Sequence, residues 1–99
     1  MATTRYWLLF YDYVPDILER RGPFRDAHLG RAREAHDRGT LVFAGALGDP
    51  VDGALFVFSA DDRAVVEDFA RDDPYVREGL VPAWKVRPWN VVVGGDEAP

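Results

Sequence analysis

Cysteine is missing from the whole of this 99-residue chain. Its absence excludes disulfides, a thiolate nucleophile and every cysteine-based metal site. Ser59, the only serine, lies outside any G-x-S-x-G elbow, which leaves no footing for that nucleophilic chemistry. Basic charge is also scarce. Twelve Lys and Arg against seventeen Asp and Glu leave a net charge of −5 and a pI near 4.8. A phosphate-reading surface is usually basic, so no nucleic-acid partner is expected. The longest apolar runs fall well short of the roughly 20 residues needed to cross a bilayer, so no membrane partner is expected either. The start, "MATTRYWLLFYDYV", lacks the basic flank and cleavage site of a secretory leader, and a cytoplasmic location is the expectation. Two histidines eight residues apart, without a supporting ligand motif, make a poor metal site. "GALGDP" lacks the Gly-Lys-Ser/Thr end of a phosphate loop, and no dinucleotide fingerprint occurs. The expectation is therefore no metal and no cofactor.

What the chain does have is apolar and aromatic residues, at 47% and 13% of its length. That supply, in a chain with room for one core, suits an oligomer interface or a pocket. A single domain over residues 1–99 is expected, with its core at about 5–93 and a flexible tail at 94–99. "YWLLFY" (Tyr6 to Tyr11) is short and continuously apolar, the pattern of a strand buried on both faces. After Pro15 an irregular or short helical piece runs up to Gly22-Pro23. Pro23 to Arg38 then reads as a helix stopped by Gly39. Gly30 inside that helix costs up to ~1 kcal/mol against Ala, which packing is expected to offset. "TLVFAGAL" (Thr40 to Leu47) and "ALFVFS" (Ala54 to Ser59) read as strands joined by the turn-rich "GDPVDG". A second helix follows, capped by Asp61 or Asp62, with Val65, Val66, Phe69 and Ala70 as its apolar stripe. "WKVRPWNVVV" (Trp84 to Val93) reads as the last strand, at a sheet edge because Pro88 removes a ladder donor. The order β-α-β-β-α-β is that of an α+β, ferredoxin-like sandwich. Two helices cover only one face of such a sheet, so the other face needs a partner, and a second copy of the chain is the simplest one.

Few residues can carry chemistry. Phe24, His28, Ala32 and Ala35, at spacings of four, four and three, form one stripe of the first long helix. His28 therefore points inward or into a cleft, either as a satisfied core imidazole or as a functional one. His36 lies about 80° further round and is expected in solvent. The arginines Arg25, Arg31, Arg33 and Arg38 read as a solvated face laced to Asp26, Glu34 and Asp37, with one of them free to steer an anionic substrate. The second helix stops at Asp72-Asp73-Pro74, where two neighbouring carboxylates oppose the helix macrodipole. A solvated turn is one explanation. The other is an inward carboxylate with a cationic or histidine partner.

"AHLGRAREAHDRGTLVFAGAL", "ALFVF", "DDPYVREGL" and "VRPW", in that order, resemble the YciI-like (YCII-related) family from Tyr6 to about Val92. The matching pieces are His28-Leu29, Ala44-Gly45, Asp73-Pro74-Tyr75 and Arg87-Pro88-Trp89. The resemblance implies a homodimer in the form of a dimeric α+β barrel, and a histidine–aspartate pair proposed as an active site. Carried over, the pair is His28 and Asp73, with Asp72 facing solvent. The stretch around residues 13–26 and the "GDPVDG" loop vary in such families, so no substrate contacts are carried over there. Two functions follow as expectations. One is a cofactor-independent acid/base enzyme of isomerase, lyase, dehydratase or cyclase type, acting on a small enol-, lactone- or phenol-like molecule. Tyr6, Phe10, Phe24, Tyr75 and Trp84 are the candidates to contact that ligand, although each also suits core or dimer packing. The other is a non-catalytic small-ligand-binding or dimerisation module accessory to another enzyme.

Overall fold

The computed structural model describes residues 5–94. The expected tail falls on residues 95–99, outside the described residues, except for Gly94. In chain order the elements are β1 (Tyr6–Asp12), α1 (Ile17–Arg20), α2 (Gly22–Asp37), β2 (Leu41–Leu47), β3 (Gly53–Ser59), α3 (Arg63–Asp72), α4 (Pro74–Arg77) and β4 (Ala83–Trp89). The four strands form one antiparallel sheet in the order β2-β3-β1-β4, with the helices on one face. This is the ferredoxin-like α+β arrangement. Pro88 sits in the edge strand, where its missing N–H costs no ladder bond on the open side.

Strand alternation divides the sheet into two different surfaces. Leu9 and Tyr11 of β1, Ala54, Phe56 and Phe58 of β3, Leu41 of β2 and Val86 of β4 enter the core beneath the helices. Ala32 and Ala35 of α2, with Val66, Phe69 and Ala70 of α3, close that core from above. The opposite surface carries Tyr6, Leu8 and Phe10, paired across to Val57 and Leu55, with Phe43 beyond them. No described helix or strand covers it, although Tyr6 and Val57 are themselves buried. Phe43 is 72% exposed and Trp89 45%. On β1, Leu9 and Tyr11 of the helix-side face are fully buried, while Leu8 and Phe10 of the other face are half-buried.

Several expectations need correction. The last strand ends at Trp89 rather than Val93, because its partner β1 begins at Tyr6, opposite Trp89. Among the described residues no strand pairs with Val92 and Val93, which stand 83% and 88% exposed. The second helix is two helices, since the residue before a proline is pushed out of the α region. Asp73 has ψ 128°, which ends α3 and starts α4 on Pro74. Asp62 is the cap of α3, accepting from the Ala64 amide, while Val65 lies outside the buried stripe at 43% exposure. Arg31 does not belong to a solvated face. Its guanidinium donates to the Phe69 carbonyl at 2.9 Å and lies 4.5 Å over the Phe69 ring, tying α2 to α3. Gly30 is exposed, and a Cβ there would meet nothing within 4 Å, so no packing offsets its helical cost. Gly39, at φ +83°, ends α2 as expected.

Candidate active site

Three elements bring the site together. α2 turns His28 toward the sheet, the α3–α4 break sets Asp73 beside it, and β1 delivers Tyr11 from below. His28 is 6% exposed and Asp73 is not exposed at all. Nδ1 of His28 lies 2.8 Å from Oδ2 and 2.9 Å from Oδ1 of Asp73. An ionised carboxylate only accepts, so the hydrogen sits on Nδ1 and is shared between the two oxygens. The Tyr11 hydroxyl donates to Oδ2 at 2.6 Å, and the Tyr75 amide donates to Oδ1 at 3.0 Å. Asp73 thus caps α4 and holds His28 with the same two oxygens. Capping and pairing coexist in this residue. Asp72 is exposed, on the rim of a separate cleft of about 170 Å³ between α2 and α3 that does not include His28.

The other imidazole nitrogen is different. Among the described residues every buried side-chain nitrogen or oxygen has a hydrogen-bond partner. Nε2 of His28 has no hydrogen-bond partner among the described residues and is not among the fully buried atoms, and the residue is 6% exposed. The ring is held flat against Tyr75, with centroids 3.9 Å apart and planes 8° apart, and meets the Phe56 ring edge-on at 6.1 Å. Tyr13 packs edge-on against both Tyr75 and Tyr11. Burial, followed by the Asp73 charge, holds the Tyr11 phenol far above its ordinary range. Burial first and Tyr75 second do the same for Tyr13. Tyr75 is raised mainly by burial, against the pull of Arg21 and Arg25. All three phenols are neutral hydrogen-bond donors at physiological pH.

Of the candidate ligand contacts, Tyr75 lies against His28. Phe24 is half-buried one turn before His28 on the same helical stripe. Trp84 lies beside Tyr11 across the β1–β4 ladder on the helix face, with Arg71 5.9 Å above its ring. Tyr6 and Phe10 fall on the open face of the sheet, the opposite side from His28, because one step along a strand reverses the side chain. Reading the alternation from Tyr11 instead would have found what the sequence analysis missed. Trp7, Leu9, Tyr11 and Tyr13 share the helix-side face, and a buried tyrosine on that face needs a partner for its hydroxyl. His36 is exposed as expected, although its Nδ1 also meets the Leu41 carbonyl at 2.9 Å. No group of three His, Cys, Asp or Glu that could hold a metal occurs among the described residues.

The sequence model of the YCII-related domain matches residues 5–90. The chain belongs to the YCII-related family. Protein YciI of Escherichia coli O6:H1 is 31% identical over 95 residues, covering 87% of this chain and 97% of that protein. An uncharacterized protein of Haemophilus influenzae is 27% identical over 96 residues, covering 88% of this chain and 98% of the other. Among solved structures, the chain is similar to a 5-chloro-2-hydroxyhydroquinone dehydrochlorinase from Burkholderia phenoliruptrix AC1100, in complex with 2,5-dihydroxybenzoquinone. That similarity has a TM-score of 0.72 at 22% identity, over 86% of this chain and 93% of the other. A dimeric ferredoxin-like protein from an uncultured marine organism matches at TM-score 0.50 and 13% identity, over 98% and 95% of the two chains. At these identities the structural matches speak for the family's fold. No described helix is long and apolar enough to cross a membrane.

Proposed function

We propose that this chain is a small cofactor-independent enzyme in which His28 moves a proton on a small enol-, lactone- or phenol-like metabolite while Asp73 holds the ring. The observation that carries this reading is the asymmetry of one imidazole. Nδ1 is bound to a fully buried carboxylate, and Nε2 is open. A carboxylate on one ring nitrogen fixes the tautomer that leaves the other as a proton acceptor, and imidazole changes charge near neutral pH. Nε2 would take a proton from a hydroxyl or an acidic C–H of the substrate. The Asp73 charge would stabilise the imidazolium. Returning that proton to another substrate atom gives isomerisation or cyclisation, and giving it to a departing hydroxide releases water. A halide would instead leave with its bonding electrons, and the proton would pass to solvent. Tyr75 and Tyr13 supply flat walls suited to a planar ring.

The working form in this reading is a cytoplasmic homodimer joined through the uncovered sheet face, where Phe43, Leu47 and Trp89 stand exposed beside Leu8, Phe10 and Leu55. A permanent interface of that kind buries about 1,200 Å² or more in total. The second reading, a ligand-binding module without turnover, draws on the capping role of Asp73, which ties α4 to β1 and α2 whatever the chemistry. A turnover screen with enol lactones, hydroxyquinones and halogenated hydroquinones separates the two readings. Turnover by the native chain that disappears in His28→Gln supports the enzyme. Ligand binding without turnover in either protein supports the module.

A further inference from the structure

Most guanidinium groups in this chain are engaged. Arg20, Arg38, Arg63 and Arg71 pair with carboxylates on their own helices, and Arg31 donates to the Phe69 carbonyl. Arg21, Arg25, Arg33, Arg77 and Arg87 make no side-chain hydrogen bond or ion pair among the described residues, and of these Arg21 and Arg25 share a helical stripe with His28. Their placement is specific. Arg21 already has helical dihedrals, φ −74° and ψ −20°, so the turn of α2 runs through it. Arg21, Arg25 and His28 therefore follow the i, i+4, i+7 positions of one helical stripe. The charges of both arginines reach Tyr75, the ring stacked on His28, and that of Arg21 also reaches Tyr13. The one carboxylate acting on those two phenols is Asp73, which is buried and already occupied by His28, Tyr11 and the Tyr75 amide. In a chain of net charge −5, the stripe that carries His28 thus carries two cations one and two turns before it. Two like charges four apart weaken a helix slightly, so their pairing here has a cost that packing does not explain.

We propose that Arg21 and Arg25 form an anion-binding wall beside His28, and that the substrate is an organic anion: a carboxylate, enolate or phenolate on a small, flat framework. This deepens the proton-transfer reading and rests on it for the site. A guanidinium recognises such groups by charge-assisted and, where geometry allows, bidentate hydrogen bonds. It would hold the anionic group at the mouth and leave another atom of the ring over Nε2. The wall also predicts discrimination by charge rather than by shape.

The test uses two probes that share a ring. 2,5-Dihydroxybenzoquinone is ionised at neutral pH, and its dimethyl ether, 2,5-dimethoxybenzoquinone, is neutral. Binding is followed by the ring-proton NMR signals of His28 on the full chain. The native protein is expected to bind the anion at least about tenfold more tightly than the ether, with an affinity that falls as NaCl is raised. Arg21→Gln and Arg25→Gln are each expected to weaken anion binding by about five- to tenfold and to leave the ether unaffected. The double variant should bind the two probes alike. Equal binding of both probes by the native chain, no binding of the anion, or undiminished anion binding by the double variant would each overturn the proposal. His28→Gln distinguishes this failure from that of the proton-transfer reading. It should keep the anion preference, read from backbone amide shifts, while losing turnover; loss of turnover in His28→Gln with intact anion binding in the arginine double variant refutes the wall alone.

Discussion

Replacing Asp73 by Asn alters the centre of the site with almost no change in shape. The carboxylate accepts three hydrogen bonds, from Tyr11, the Tyr75 amide and His28 Nδ1, in a place with no solvent. An amide has one accepting oxygen. If that oxygen keeps the Tyr75 amide, the new NH₂ faces the Tyr11 hydroxyl and Nδ1. The hydroxyl can turn and accept, but Nδ1 stands 2.8 Å from the new NH₂, and its other neighbour, the retained oxygen at 2.9 Å, already serves the Tyr75 amide, so Nδ1 is expected to give up its hydrogen and accept. The ring then carries its proton on Nε2, and the open nitrogen ceases to be an acceptor. Bonds to a charged acceptor contribute about 1.5–3 kcal/mol each, but the exchange replaces most of them with neutral ones. The net loss in stability is therefore put at about 1–3 kcal/mol. For a domain of this size that corresponds to a fall in Tm of roughly 5–20 °C. Activity found in the screen should fall by about 10²- to 10⁴-fold, the usual contribution of one positioned acid–base group. Long-range ¹H–¹⁵N correlation of the histidine ring reads the tautomer directly. Asp73→Asn is expected to move His28 from the Nδ1–H to the Nε2–H form, while Asp72→Asn, at an exposed position, changes neither tautomer nor Tm. An Nδ1–H tautomer that persists in Asp73→Asn would refute the reasoning.

Other expectations can be checked separately. Gly30→Ala should raise stability by about 0.5–1 kcal/mol, seen as a higher urea midpoint at unchanged m, because a Cβ there meets only open space. Phenolate absorbance should show Tyr11 and Tyr13 retaining their protons until the chain unfolds in alkali. The unfolded chain releases phenol protons from about pH 10, so stability is full below that pH and declines above it, by about 1.4 kcal/mol per pH unit for Tyr11 alone. Phe43→Asp, on the uncovered sheet face, should convert a micromolar dimer into a monomer by sedimentation, with His28 and Asp73 unmoved in the NMR spectrum. EDTA should leave Tm and turnover unchanged, and a fall of several degrees would contradict the reading of a site without metal.

The fold was readable because each strand and helix carries its own signal and the chain order β-α-β-β-α-β admits few topologies. The strand edge followed from Pro88 and the helix stop from Gly39. The end of β4 was not readable, since "NVVV" is as apolar and β-branched as any strand. The described ladder with β1 closes at the Tyr6–Trp89 pair, which no local signal in "NVVV" announces. Within the site, helical periodicity turned His28 inward, and the Asp-Pro step separated Asp73 from Asp72. Tyr11 was missed for a different reason. A run as uniformly apolar as "YWLLFY" hides which residues face the helices, and Tyr6 and Phe10 were as plausible as Trp7 and Tyr11 until the sheet was assembled. Arg31 and Arg21 show the same limit for charge. Both belong to one arginine-rich stretch, yet one is locked against Phe69 and the other has no side-chain partner among the described residues and acts by charge on Tyr75.

The central claim is that the open nitrogen of His28 carries a proton to and from a bound molecule. The most direct measurement follows the ring C–H signal of 2,5-dihydroxybenzoquinone in D₂O by ¹H NMR. An imidazolium that has taken its deuteron from D₂O delivers it to that carbon, and the imidazole left behind removes the original proton, so the signal decays. The account predicts decay with catalytic amounts of the native chain, and a rate no different from buffer with His28→Gln. A native chain that leaves the signal at the buffer rate, or a His28→Gln variant that matches the native rate, would contradict it.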